Sequence, residues 1–304
     1  MVKVKMMPAT KLLTNARLPF QLLAYHHLGV AVSELPAALD FYGKLGFKEV
    51  QDEQATEERR IMKNAGGLEL QLFRADAKHE NNANILMDFK DVKYPGHTHA
   101  SFLVPSVKDA RAYLEKQGLA ITGERRPGGV LRAVFCRDPD RTTMEFEKNV
   151  GEDEALEEFK AEMVGNQRPI DHVGIRIRNP QANMMWYAEK LGFVQEVMTY
   201  SLDEDPLKNE RPWITRLEHS HCDINFILNC NTDPSLANPL LEGGKVLPGI
   251  VYVGFKVDKA EEARKFLSES GVKVMSEEEL GIEKARLFSM PRSFFFQDPD
   301  GNLL

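Results

Sequence analysis

Residues 94–104 read YPGHTHASFLV, which sets His97 and His99 at alternate positions of an apolar run with the pattern of a β-strand. Residues two apart on a strand project to one face, so the two imidazoles are expected side by side. Imidazoles placed this way can bind a metal ion or carry protons. The plainer reading of His97 is a polar cap to the strand after the turn at Tyr94, Pro95 and Gly96. Other histidines open two further apolar runs, HLGVAV from His27 and HVGIRI from His172. His26 precedes His27 and must face the other way, so it is expected to be structural or exposed. The group HSHC (His219, His221, Cys222) is read as an exposed hairpin tip rather than a ligand set.

The elements that position these residues repeat along the chain. HLGVAVSELPAALDFYGKLGF from His27 matches HVGIRIRNPQANMMWYAEKLGF from His172, a tandem duplication. Each half holds a weaker copy: HASFLVPSVKDARAYLEKQGL from His99 and YVGFKVDKAEEARKFLSESGV from Tyr252. His27 to Gly46, His99 to Gly118 and Tyr252 to Gly271 span the same interval. Each copy predicts an apolar strand, then a helix with apolar residues at three and four spacing (Leu39, Tyr42 and Leu45 in the first) and a terminal glycine. Alternating strands follow, such as GLELQLF from Gly67 and TTMEFE from Thr142. The unit reads as βαβββ. DPD, a turn signal, recurs before the last strand of each half at Asp138 to Asp140 and Asp298 to Asp300.

The resulting division is an N-terminal extension over 1–23, a first domain over 24–150, an acidic helix-prone linker over 151–168 and a second domain over 169–304. The extension is basic, with Lys3, Lys5, Lys11 and Arg17 ahead of the first acidic residue, Glu34. It reads either as a frayed tail or as part of an organelle transit peptide. The expected compartment is the cytoplasm, or an organelle in the second case.

The chain has 304 residues, of which 42% are hydrophobic and 28% charged, enough for two domains of ordinary size. A net charge of −7 argues against nucleic acid as the main partner, and no apolar run is long enough to span a membrane. Three cysteines without CxxC pairing argue for a reducing compartment and against a zinc ribbon or disulfide framework. The expected partner is a small-molecule substrate, with a second copy of the chain, in a homodimer, the one protein partner considered.

Paired βαβββ modules, the H-[LV]-G-[VI]-x-[VI] opening strands, the FY…KLGF helix end and the DPD[RG] turn together resemble the vicinal oxygen chelate superfamily. That family includes glyoxalase I, extradiol ring-cleaving dioxygenases, fosfomycin-resistance enzymes and methylmalonyl-CoA epimerase. The resemblance covers about residues 24–304. It implies an α+β fold in which modules pair into two half-barrels, each a cup able to hold one divalent metal between the first and last strands of its modules. Carried onto this chain, the resemblance implies His27, Glu69, His99 and Glu145 as ligands in the first half. Gln71 shares the face of Glu69 and is an alternative to it; Glu147 lies one step past Glu145. Such a set suits Fe(II), Ni(II), Mn(II), Co(II) or Zn(II) and leaves positions open for substrate.

In the second half His172 persists, Tyr252 replaces the second histidine, Asp223 or Asn225 stands near the position of Glu69, and the counterpart of Glu145 would fall one residue past Leu304. That half is expected to be vestigial. The leading functional expectation is a glyoxalase I-like lyase or isomerase, with Glu145 or Glu69 as the base. The alternatives are an Fe(II) extradiol-type dioxygenase with His97 as acid/base, and a ligand-sequestering protein of the bleomycin-resistance kind. Arg125, Arg126 and Arg132 flank a GG turn near the mouth of the expected cup. They read as a solvated hairpin, with pairing to a substrate carboxylate or phosphate as the alternative.

Overall fold

The computed structural model describes residues 18–53, 55–88, 92–148, 153–196, 214–219, 225–229, 232–233, 235–240, 245–276, 279–280 and 293–304. The basic segment 1–17, the start of the acidic linker and residues 202–212 lie outside the described residues.

The periodicities resolve into repeated units. The first module is β1 (Leu22–Val32), α1 (Leu35–Lys44), β2 (Lys48–Val50), β3 (Arg59–Lys63) and β4 (Glu69–Arg74). The second is β5 (Gly96–Leu103), α2 (Val107–Lys116), β6 (Ile121–Arg125), β7 (Ala133–Arg137) and β8 (Thr143–Glu147). The third is β9 (His172–Arg176), α3 (Pro180–Leu191), β10 (Phe193–Glu196), β11 (Ile214–His219) and β12 (Asn225–Asn229). The fourth keeps β13 (Gly249–Val257), α4 (Ala260–Glu269), β14 (Val274–Met275) and β15 (Phe295–Phe296), with Leu303 bridging Tyr252 in parallel.

Local chemistry sets the helix starts. Ser106 caps α2 by accepting from the Asp109 amide, and Asn179 caps α3 by accepting from Ala182, with Pro180 in its first turn. Ala38, Phe41 and Tyr42 of α1 are buried on one face, the spacing expected of a helix packed on a sheet.

Within a module the opening strand lies parallel to the last one, with His27 opposite Glu69, His99 opposite Thr143 and His172 opposite Asn225. Between modules the pairing departs from the expectation that each half builds its own cup. β1 runs antiparallel to β13, and β5 antiparallel to β9, so module one joins module four and module two joins module three. The order β9-β5-β13-β1 places both seams in one sheet.

The two modules within each half are tied together differently, through helices and turns. Tyr42 of α1 donates to Asp138 of the first DPD turn at 2.9 Å, and Tyr187 of α3 donates to Asp298 of the second at 2.9 Å. Phe47 packs on Phe102 at 5.8 Å. The two DPD turns therefore mark equivalent corners, as their recurrence in the sequence predicts. Residues of the linker pack as well, with Phe159 on Tyr113 and Val164 buried.

Candidate functional site

The seam between β5 and β9 sets His99 opposite Gly174 and His172 opposite Ser101. Gly174 is required there, because a Cβ would overlap the His99 ring. Gly254 beneath His27 and Gly29 beneath Tyr252 play the same part in the other seam. Each ring thus lies across the partner strand and leans toward the seam.

On β8, Glu145 pairs with Ser101, two residues beyond His99 on the strand. Its Oε2 lies 3.3 Å from Nε2 of His99 and 3.3 Å from Nε2 of His172, and the two Nε2 atoms are 3.1 Å apart. Bonds of about 2.0–2.2 Å from one ion to neighbouring corners of an octahedron set those donors roughly 3 Å apart. Two imidazoles and a carboxylate at this spacing fit a divalent cation.

The outer nitrogens of both rings are occupied, which fixes how the inner ones present themselves. His172 Nδ1 lies 2.9 Å from Asp171 and 3.1 Å from Glu147, and His99 Nδ1 lies 3.0 Å from the Thr98 hydroxyl. A proton on Nδ1 leaves the Nε2 lone pair free for a metal. Burial by itself would lower the pKa of His172, but hydrogen bonds to Asp171, Glu145 and Glu147 outweigh it and raise it well above the ordinary value. Burial would likewise raise Glu145, yet hydrogen bonds from His172 and His99 hold it well below the usual carboxylate range. The pocket draws positive charge to its centre, as a cation site does.

The residues expected to act together are therefore divided. His99 and Glu145 converge with His172, a residue assigned to the vestigial half. His27 is separated from them by β13, which lies between β5 and β1. Its ring meets Tyr252 at 5.6 Å, its Nδ1 lies 3.0 Å from that of His26, and burial followed by the nearby His26 lowers its pKa to about 3. Glu69 pairs with Lys63 at 3.2 Å and lies 3.9 Å from His26. Among the described residues, the His, Cys, Asp and Glu groups spaced to hold a metal are His99, Glu145 and His172, and Glu147, Asp171 and His172; neither includes His27 or Glu69.

Register settles which last-strand residue corresponds to Glu145. Glu145 pairs two residues beyond its opening histidine, and the same position is Gln71 in module one and Ile227 in module three. Gln71, buried, accepts from the Tyr252 hydroxyl at 2.8 Å. Asn225 lies opposite His172 itself, whereas Asp223, His221 and Cys222 lie outside the described residues. His219 packs against Phe193.

The alternation expected to align His97 with His99 is broken by a bulge. His97 pairs with Ile175 and His99 with the adjacent Gly174, and one extra residue reverses the facing of everything beyond it. The His97 ring is buried, and burial, opposed by the Ile250 backbone, lowers its pKa to about 4. Arg125 is no free hairpin charge: it reaches Glu147 at 2.5 Å and Glu145 at 3.5 Å. Arg176, on the face of β9 that His172 shares by alternation, is buried and donates to the carbonyls of Leu86 and Tyr94; burial lowers its pKa to about 10. A cavity of about 100 Å³ lies apart from the triad, between β13, α4 and Phe294–Phe296, with a mostly aliphatic and aromatic lining.

The sequence profile of the Glyoxalase/Bleomycin resistance protein/Dioxygenase superfamily matches residues 24–146 and 169–304. The chain belongs to this superfamily. Among solved structures, a dioxygenase described as putative from Bacillus subtilis subsp. subtilis str. 168 is 13% identical with a TM-score of 0.60, over 93% of this chain and 84% of that one. Glyoxalase I from Zea mays is 16% identical with a TM-score of 0.57, over 92% of this chain and 90% of that one. These likenesses show the fold. No curated protein matches. Among the described residues no helix is long and apolar enough to cross a membrane.

Proposed function

We propose that the chain is a divalent-metal-dependent enzyme of the superfamily, with His99, His172 and Glu145 holding one ion, and that its reaction is oxidative cleavage of a ring bearing adjacent oxygens. The observation that carries this reading is the donor count. Two imidazoles and one carboxylate meet at one point, and the position of a fourth ligand is taken by Ile227. Two histidines with one carboxylate are the donor pattern of non-haem Fe(II) oxygenases. A bound ion of this kind supplies open coordination positions for two adjacent substrate oxygens and for dioxygen.

The chain's own residues do the rest. Glu145, held ionised by its histidine partners, balances the charge of the ion. Arg176 has no carboxylate within ion-pair reach among the described residues, so it can receive an anionic group on the substrate. His97, turned from the face of His99, has no part in this scheme. A glyoxalase-like isomerisation is the second reading, supported by Glu145 as a ligand carboxylate able to move a proton between adjacent carbons.

The test is dioxygen uptake with a panel of catechols after loading with Fe(II), against anaerobic isomerisation of a glutathione hemithioacetal after loading with Ni(II). Uptake with Fe(II) is the expected result. Turnover with Ni(II) in the absence of dioxygen would overturn ring cleavage, and a chain that takes up neither metal would favour sequestration.

A further inference from the structure

The two histidines of the triad are held in unlike ways. The outer nitrogen of His99 meets one neutral hydroxyl, Thr98 Oγ1 at 3.0 Å. That of His172 meets two carboxylates, Asp171 at 2.9 Å and Glu147 at 3.1 Å. One N–H cannot bond fully to both, so one carboxylate is in excess of need. Each is nonetheless held in place independently. Glu147 accepts from Ser101 at 3.2 Å and from Arg125 at 2.5 Å; Asp171 accepts from Arg168 at 2.8 Å and lies 3.6 Å from Arg216.

The arrangement is particular to this seam. Ser101 stands where the other three opening strands carry Gly29, Gly174 and Gly254. Where Asp171 precedes His172 on the strand facing β5, Val251 precedes Tyr252 on the strand facing β1, and the register position of Glu147 is filled in module one by Phe73. The seam without the triad has lost both carboxylates, and the seam with it keeps both. Resting on the metal-site reading above, we propose that Asp171 and Glu147, one from each half of the chain, form a redundant carboxylate clamp on Nδ1 of His172, positioning its Nε2 and making it the stronger of the two histidine donors. Both are positioning residues, acting through the imidazole.

The clamp makes a prediction that ordinary packing does not: either carboxylate suffices, and only loss of both frees the ring. The experiment is anaerobic Co(II) titration of the full chain against a chromophoric chelator, with the Co(II) absorption spectrum recorded for each variant. Asp171→Asn and Glu147→Gln are each expected to weaken binding less than about 10-fold, and the double variant by about 100-fold or more, beyond the product of the single losses, with a shifted spectrum. Asp171→Glu in the Glu147→Gln background is expected to restore most of the loss. Thr98→Val is expected to cost no more than about 3-fold.

Should the double variant fail to fold, the cycle is read on Arg125→Leu with Asp171→Asn, where Glu147 keeps its charge and Ser101 but loses Arg125; Arg125→Leu alone accounts for the freed contact to Glu145, and the same excess over the product is expected. Additive losses, an unshifted spectrum, or a Thr98→Val loss as large as that of the double variant would overturn the clamp alone. So would two Co(II) equivalents in the wild-type chain with one lost in the carboxylate variants, since the carboxylates would then be ligands themselves. A wild-type chain that binds no Co(II) would overturn the metal-site reading and the clamp with it.

Discussion

The seam of modules two and three gathers His99, His172 and Glu145 within 3.3 Å of one another, while the seam of modules one and four puts Tyr252, His27 and Gln71 at the matching positions. The frame is the same in both: an antiparallel pair of opening strands, a ring lying across a partner glycine, and a bulge just before His99 and just before Tyr252. The contents differ. In the second seam Tyr252 is buried, stacks on Phe73 at 6.0 Å, meets Phe295 at 5.2 Å and donates to Gln71. Ala31, Phe73, Val251 and Leu303 close around it as a separate apolar cluster. One seam keeps polar groups aimed at a shared point, which costs desolvation; the other has turned the same space into core.

The largest expected contrast comes from removing one histidine in each seam. His172→Ala is expected to weaken Co(II) or Fe(II) binding by more than about 100-fold, and His27→Ala to change it by less than about 3-fold, because only the first is a donor at the shared point. Metal content after dialysis measures both. Equal losses would mean that the triad is assigned to the wrong seam.

Adding a ligand sharpens the contrast in the opposite direction. Ile227→Glu would supply the fourth position with a carboxylate, converting the three-donor site into a four-donor one. Metal is expected to be retained while dioxygen uptake falls more than about 10-fold, since a coordination position is consumed. Uptake unchanged from wild type would show that Ile227 does not border the site.

The third contrast is between the halves and concerns pH. Burial first, and then the neighbouring Asp140, raises Asp138 from an ordinary 3.8 to about 7; burial and Asp300 raise Asp298 to about 6. A carboxyl raised in this way keeps a proton that the unfolded chain has given up, so its presence costs stability progressively as pH rises from near 4 through the folded value. From Asp138 the fall between pH 5 and 7.5 is expected to be about 2–3 kcal/mol, with less from Asp298. Buried His27 and His97, whose pKa values are lowered, push the other way in both proteins, so the change in urea midpoint from pH 5 to 7.5 should be more positive in Asp138→Asn than in wild type. Wild type and Asp138→Asn showing the same change in midpoint between the two pH values would sink the assignment.

What could be read in the sequence follows what is local. The βαβββ units, their helix caps and the paired DPD corners all arise from contacts within a few turns of chain, or from a duplication visible by self-comparison. The partner of each opening strand is different in kind. Four similar strands can pair in more than one way, and the glycines needed under the rings, Gly29 and Gly174, stand equally ready to receive His99. Ligand richness favours joining modules one and two, which would assemble His27, Glu69, His99 and Glu145; the fold joins two with three. The bulge at Thr98 is a single residue with no compositional mark, and it undid the alternation that placed His97 beside His99. Asp171 had a signal that comparison of the copies could have supplied: Asp-His before one opening strand, His-His before the other, and Ser101 where the remaining modules have glycine.

The smallest expected effect tests whether the second seam has become core. Tyr252→Phe removes the hydroxyl that donates to Gln71 and keeps the ring among Phe73, Phe295 and Leu303. Gln71 Oε1 loses this donor, and its Nε2 is already without one of its own partners. A neutral buried hydrogen bond lost this way costs about 1–2 kcal/mol, so a lowering of the melting temperature by about 2–4 °C is expected for a chain of this size. Metal binding should be unchanged. Pairing Tyr252→Phe with Gln71→Leu replaces both polar ends with apolar ones and is expected to recover most of the loss, because no unsatisfied group then remains. A Tyr252→Phe variant with wild-type stability but weakened metal binding would show instead that this seam still serves the site, and the division of labour between the two would have to be given up.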